Sequence, residues 1–291
     1  MIPAFRFLAA AWLALAPLQV ALGQEVLHPA LWKVQDEDTT IWLFGTVHML
    51  PPGKDWLTGP IAQAVDGSAE LVTEVLDPSG AQTQAALLER AMLPPRRTLR
   101  GLMRPGQRAA FEAFMKSHGL PLQAFDRYKP WYAAVVLSSL PLLQQGFSVR
   151  HGVETALEQR AADRPHGALE SVDQQLSLLD GLPRGVQLRY LAEVISEYDT
   201  IPAEVEKMAL AWGTGDAEGL ARLINEDEGK DDPLLTDVLI LRRNRAWADW
   251  VRQRLKQPGT VFVAVGAGHL AGSGSVQDVL AKSGIAAARV Q

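Results

Sequence analysis

Two apolar runs, "LWKV" and "TIWLFGTV", flank the polar break "QDEDT" near the start of the chain. Short runs rich in β-branched and aromatic residues around an acidic turn predict a hairpin, with strands over Leu31 to Val34 and Thr40 to Val47. The helical stretch "PIAQAVDGSAE" follows, then a β-rich run from Glu70 to Leu76 that stops at Asp77 and Pro78. Strand, helix, strand in that order predicts a parallel crossover.

From Ser79 to about Gln257 the period becomes helical, punctuated by Gly and Pro. "RPGQRAAFEAFMKSHGLP" carries Pro105 near its start and Gly119 and Pro121 at its end, which are start and stop signals. "PWYAAVVLSSLPLLQQG" is apolar nearly all round and predicts a buried helix bent at Pro141. Further helices follow, interrupted by a short strand in "GALES". The longest helix is expected from Asp232, an N-cap, to Gly259, which follows a basic last turn. "TVFVAVGAGHL" then predicts a buried strand, "SVQDVLAKSG" a helix and "IAAARV" a last strand. Strands at both ends of the sequence must meet in one sheet. The expected fold class is therefore α/β, a mixed sheet built from N- and C-terminal strands with a large helical middle segment. The expected organisation is one domain over 24–291, with a helical insertion at about 79–257.

The first residues change the picture. "MIPAFRFLAAAWLALAPLQVALGQE" has Arg6, an apolar core broken by Pro17, and an Ala21 to Gly23 exit. That pattern predicts a signal peptide over 1–23, a periplasmic or secreted protein, and no membrane span after cleavage, because the core is shorter than the ~20 residues a spanning helix needs. The chain contains no cysteine, so neither disulfides nor a cysteine nucleophile are available, and export does not require disulfides. A net charge of −5 gives no general attraction to phosphate backbones and argues against nucleic acid as a partner.

The candidate chemistry lies at strand ends, where ligands collect in α/β sheets. "GTVH" puts Gly45 and His48 after the first long strand, and "GAGH" puts Gly266 and His269 after the last; both read G-x-x-H. Between them Glu74 interrupts an apolar run, and a carboxylate there needs a partner or a metal to offset its desolvation. Two imidazoles and a carboxylate match a divalent-metal site with open positions for water and substrate: zinc suits the imidazoles, manganese an added carboxylate or water. Each histidine alone reads as an ordinary hydrogen-bonded residue, as do His28, His118, His151 and His166. Gly266, Gly268 and Ala271 also satisfy a dinucleotide fingerprint, but the chain lacks the acidic residue about 20 positions on. On the long helix, Arg243 shares a stripe with Leu239, Trp247 and Trp250, and Asn244 with Ile240, Trp247 and Val251. Arg243 reads equally as an ion-pair partner of Glu154 or Glu170 and as a substrate anchor. No G-x-S-x-G elbow, Walker loop or H-E-x-x-H helix occurs.

"FGTVH", "TEVLDP", "YKPW", "HGVETALEQRAA", "GALESVDQQL", "RRNRAW" and "VFVAVGAGHLAG" resemble, in order, the signatures of the TraB/GumN family, which is related to the TIKI metalloproteases. The resemblance implies an erythromycin esterase/ChaN-like fold and divalent-metal-dependent hydrolysis of peptide or small amide substrates. Carried over by position, it gives Gly45, His48, Glu74, Gly266 and His269, with the "RN" pair on Arg243 and Asn244. Glu154 in "GVE" stands where Asp is also common. The expected site thus has His48, Glu74 and His269 on the metal and Glu170, Arg243 and Asn244 in catalytic roles, with Glu170 a candidate base. The alternative is a binding protein that sequesters a peptide or a haem-like ligand.

Overall fold

A computed structural model describes residues 25–77, 80–225 and 232–291. The signal-peptide expectation lies outside the described residues. The strands are β1 (Glu25–Val26), β2 (Leu31–Gln35), β3 (Thr39–Thr46), β4 (Lys54–Asp55), β5 (Glu70–Thr73), β6 (His166–Ala168), β7 (Gly259–Gly266) and β8 (Ala288–Arg289). β1 pairs with β4, and the other six form a sheet in the order β6-β5-β7-β3-β2-β8. β6, β5, β7 and β3 run parallel, while β2 pairs antiparallel with both β3 and β8. The sheet is mixed, as expected, and the two termini do meet in it: β7 inserts between β5 and β3.

Alternation along the central strands sorts side chains to two faces. Phe44, Phe262 and Ala264 pack on one face with Ile61 and Trp212. Ile41, Leu43, Val261, Val263 and Val265 pack on the other with Trp247, Val251 and Leu280. Helices fill most of the chain between β5 and β7, and those at Pro105–Ser117, Pro130–Gln144 and Arg184–Glu197 share an apolar core built around Phe111, Met115, Leu137 and Leu191. Among the described residues no helix is long and apolar enough to cross a membrane.

Two local departures bear on the site. The run expected to continue to Leu76 leaves the sheet after Thr73, whose hydroxyl donates to the Val75 carbonyl at 2.9 Å. Glu74 thereby stands just past the strand's carboxyl end. The long helix is also not uniform: Pro233–Thr236 leads into a π-helical turn, Asp237–Leu241, before Arg242–Arg254. A π-turn shifts helical register by one residue and is frequent at functional sites. Here it ends two residues before Arg243.

Candidate functional site at the strand ends

Parallel pairing sets Gly45 opposite Val265 and Thr46 opposite Gly266, so two motifs far apart in sequence leave the sheet side by side. Gly45 is required by that proximity, because a Cβ there would lie 3.0 Å from the Ala267 Cα. Its carbonyl accepts from the Trp212 indole at 2.8 Å, which ties the helix Ile201–Gly213 to the first motif. Beyond Gly266 a 3₁₀ turn, Ala267–Leu270, carries His269 into the protein, where it is 5 % exposed. Hydrogen bonds from Leu169 N–H to Thr73 and from Glu170 N–H to Glu74 extend the β5–β6 pairing and bring Glu170 to the same end.

Arg243 occupies the centre. Its Nε donates to Glu170 Oε1 at 2.8 Å and Nη2 to Glu170 Oε2 at 3.0 Å. Nη2 also donates to Glu74 Oε2, and Nη1 donates to the Leu239 carbonyl at 3.2 Å and to His269 Nε2 at 3.0 Å. A guanidinium has five N–H groups, and these five bonds use them all. The guanidinium also lies 4.6 Å from the Trp247 ring centre, and the Trp247 and His269 rings are 4.4 Å apart. Side-chain exposures of 10 % for Arg243, 11 % for Glu74 and 12 % for Glu170 make this a buried charge cluster. Of the two readings of Arg243, the ion pair to Glu170 is the one formed, and no donor is left over to anchor a substrate. Glu154 pairs elsewhere.

Asn244 is fully buried and fixes the imidazole. Its Nδ2 donates to the Gly274 carbonyl at 2.8 Å, and its Oδ1 faces His269 Nδ1 at 2.7 Å. An amide oxygen only accepts, so His269 carries its proton on Nδ1 and presents the Nε2 lone pair to Arg243. Burial lowers the His269 pKa to about 4, so the ring is neutral. Burial acts to raise the Glu74 pKa, but Arg243 and the Gly266 N–H, 2.8 Å from Oε1, outweigh it and hold the carboxylate ionised. Gln175, in the helix Val172–Asp180, donates to Glu74 Oε2 at 3.0 Å.

His48 stands apart from this closed network. Its Nδ1 lies 2.6 Å from Glu154 Oε1, with 70 % of the imidazole side chain exposed and only 18 % of the carboxylate side chain. The hydrogen bond to Glu154 raises the His48 pKa to about 9, against partial desolvation. Desolvation would raise the Glu154 pKa, and His48 reverses it. Because most of the ring faces water, the pair is screened and adds little to stability. Gly152 permits the approach, since a Cβ there would sit 2.3 Å from the His48 carbonyl oxygen.

The expected metal ligands are therefore distributed differently from a cage. Among the described residues no group of three His, Cys, Asp or Glu side chains is placed to hold a metal ion. His269 Nε2 already accepts from Arg243, and Glu74 accepts at three of its four carboxylate lone-pair positions, from Arg243, Gln175 and the Gly266 N–H. These donors as arranged are engaged by Arg243 rather than converged on a zinc or manganese position. Of the residues assigned catalytic roles, Glu170 and Asn244 hold Arg243 and His269 in place. Sequence reading did not single out Gln175, and it left Glu154 open between structural and functional roles. A signal for Glu154 was present in its place at the first turn of a helix that opens on "HGVE".

The fold and the cluster define an α/β protein with a built, charged site at the carboxyl ends of its parallel strands. The chain belongs to the TraB/PrgY/gumN family, whose sequence profile matches residues 30–289. It is 25 % identical over 261 residues to the uncharacterized protein YbaP of Escherichia coli (strain K12), covering 89 % of this chain and 94 % of that protein. It is 22 % identical over 267 residues to an uncharacterized protein of Treponema pallidum (strain Nichols), covering 86 % and 80 %. No solved structure matches the chain.

Proposed function

We propose that the chain is an exported hydrolase of peptide or small amide bonds, with a fold related to erythromycin esterase and ChaN-like proteins, working at the strand-end site. The observation that carries this reading is the His48–Glu154 pair, an accessible imidazole held at 2.6 Å by a largely buried carboxylate. A carboxylate so placed orients the ring and keeps it protonated at neutral pH, so that as water adds to the carbonyl carbon and the C–N bond breaks, Nε2–H gives its proton to the departing amine nitrogen and the proton released by the water restores the imidazole. Arg243, Glu74, Glu170 and His269 form the rigid polar floor beside it. Arg243, paired with both carboxylates, holds that floor in place.

The test is turnover of a peptide library by the mature chain, read by mass spectrometry, with chelator, zinc and manganese arms. Chelator-resistant cleavage that is lost in both His48→Ala and Glu154→Gln is the expected result. Cleavage abolished by chelator and restored by zinc or manganese would move the reading to a metalloenzyme in which His48, Glu74 and His269 are ligands. Retention of peptide or haem without cleavage in any arm would make the protein a sequestering one.

A further inference from the structure

The chain carries more acidic than basic residues, 33 against 28, yet residues 90–108 hold six arginines and no Asp, Glu or Lys. Three of the six are paired: Arg90 with Asp173, Arg100 with Asp126 and Glu112, and Arg108 with Glu112. Arg96, Arg97 and Arg104 are exposed, and among the described residues no carboxylate pairs with them. The Leu93 N–H donates to the Arg127 carbonyl at 2.8 Å and the Leu99 N–H to the Asp126 carbonyl at 3.0 Å, which lays the exposed Arg127 beside the same turn. We propose that this arginine surface docks the protein on a membrane of anionic phospholipid. The surface belongs to the helical block and shares no residue with the strand-end cluster, so it stands or falls independently of the hydrolase reading.

The turn is built to project. The Arg97 N–H donates to the Pro94 carbonyl at 3.1 Å, and Arg96 has a φ of 69°. Pro95 at the second position and a positive φ at the third define a type II turn, in which the third residue is usually Gly or Asn. Arg96 thus keeps a charge at that position against backbone strain. Residues 94–98 are all exposed, whereas Leu93 and Leu99 on either side are buried, so the turn forms a convex tip held by two apolar anchors. Every free cation on it is an arginine, whose planar fork binds phosphate oxygens two at a time. Leu88 and Met92, 44 % and 38 % exposed, come just before the turn, and Met92 bridges to Tyr128 next to Arg127. Arginines with exposed aliphatic neighbours suit the boundary between phosphate headgroups and acyl chains. A single-stranded nucleic acid would instead call for a groove with exposed aromatic faces.

The test sediments the mature chain with vesicles of phosphatidylcholine alone or with about one third phosphatidylglycerol, at low salt and at about 0.5 M salt, where charges are screened. Binding is expected to the phosphatidylglycerol vesicles, at low salt only. Arg96→Gly should weaken it about fivefold, the loss expected for one arginine at an anionic surface, with no fall in Tm because glycine accepts the positive φ. Arg97→Glu and Arg127→Glu, each checked for an unchanged melting profile, should weaken it further. Lys256→Glu makes the same charge change at an exposed position beside the start of β3 and should leave binding nearly as it was. Inorganic phosphate should displace the protein no better than sodium chloride of equal ionic strength. The proposal is overturned by any of these results: no binding at low salt, equal binding to both vesicles, an equal loss in Lys256→Glu, specific displacement by phosphate, or a DNA duplex held more tightly than the vesicles through the same arginines.

Discussion

The Nε2 atom of His269 accepts a hydrogen bond from Nη1 of Arg243 at 3.0 Å. Histidine and arginine meet this way only when the imidazole is neutral with its proton on the other nitrogen, and Asn244 Oδ1 at Nδ1 enforces that form. One buried amide therefore sets how the whole cluster is wired.

Replacing Asn244 with Leu should leave the His269 Nδ1–H and the Gly274 carbonyl without partners. A loss of about 1–3 kcal/mol for each buried unsatisfied group is expected. Urea unfolding measures it, and ¹⁵N NMR of the imidazole should show the wild-type ring as the Nδ1–H tautomer.

Arg243→Ala removes the partner of two buried carboxylates. Destabilisation of about 3–5 kcal/mol is expected for an uncompensated buried pair. Arg243→Lys keeps the charge but loses the planar fork that reaches Glu170 through two nitrogens and Glu74 through one. Its stability should fall between the wild type and the Ala variant, and a Lys variant as stable as the wild type would contradict a fork-specific role.

His48→Ala and Glu154→Gln should behave differently from these. Loss of a general acid lowers kcat by roughly 10²- to 10⁴-fold, while the pair itself, with its imidazole largely exposed, is screened. Activity is expected to collapse for His48→Ala with a smaller fall in Tm than for Arg243→Ala, as measured by peptide cleavage and calorimetry on the same samples.

The histidines also predict opposite pH signatures. His269 has a folded pKa of about 4 against an ordinary 6.5, so its contribution is complete above pH 6.5 and is lost as pH falls towards 4, when only the unfolded chain takes up the proton. His48 is raised to about 9, so its contribution is complete below pH 6.5 and fades as pH rises to 9; exposure keeps it small. Stability against pH should decline on the acid side in the wild type, and the part due to His269 should vanish in His269→Gln.

Gly152→Ala tests the approach of His48. The added methyl meets the His48 carbonyl oxygen at 2.3 Å, so backbone must move. A cost of about 1–3 kcal/mol is expected from such overpacking, together with loss of the Glu154 contact, seen as a fall in the His48 pKa by NMR.

The hydrophobic pattern alone determined the strands of the main sheet, most helices and the meeting of the two termini in that sheet, but not the small β1–β4 pair, because period and punctuation are local properties of the chain. It also marked His48, Glu74, Arg243, Asn244 and His269, since polar groups in apolar runs must be satisfied somewhere. What satisfies them is not local. The register of β3 against β7, the early exit of β5 at Glu74 and the extra residue of the π-turn decide that Arg243 stands between Glu74, Glu170 and His269, while His48 pairs outward with Glu154. The two G-x-x-H motifs read as equivalent in sequence. In the fold one imidazole is buried, neutral and donor-capped and the other is exposed and held protonated, because a pKa is set by the charges and water that folding brings around a group, and no spacing along the chain encodes them.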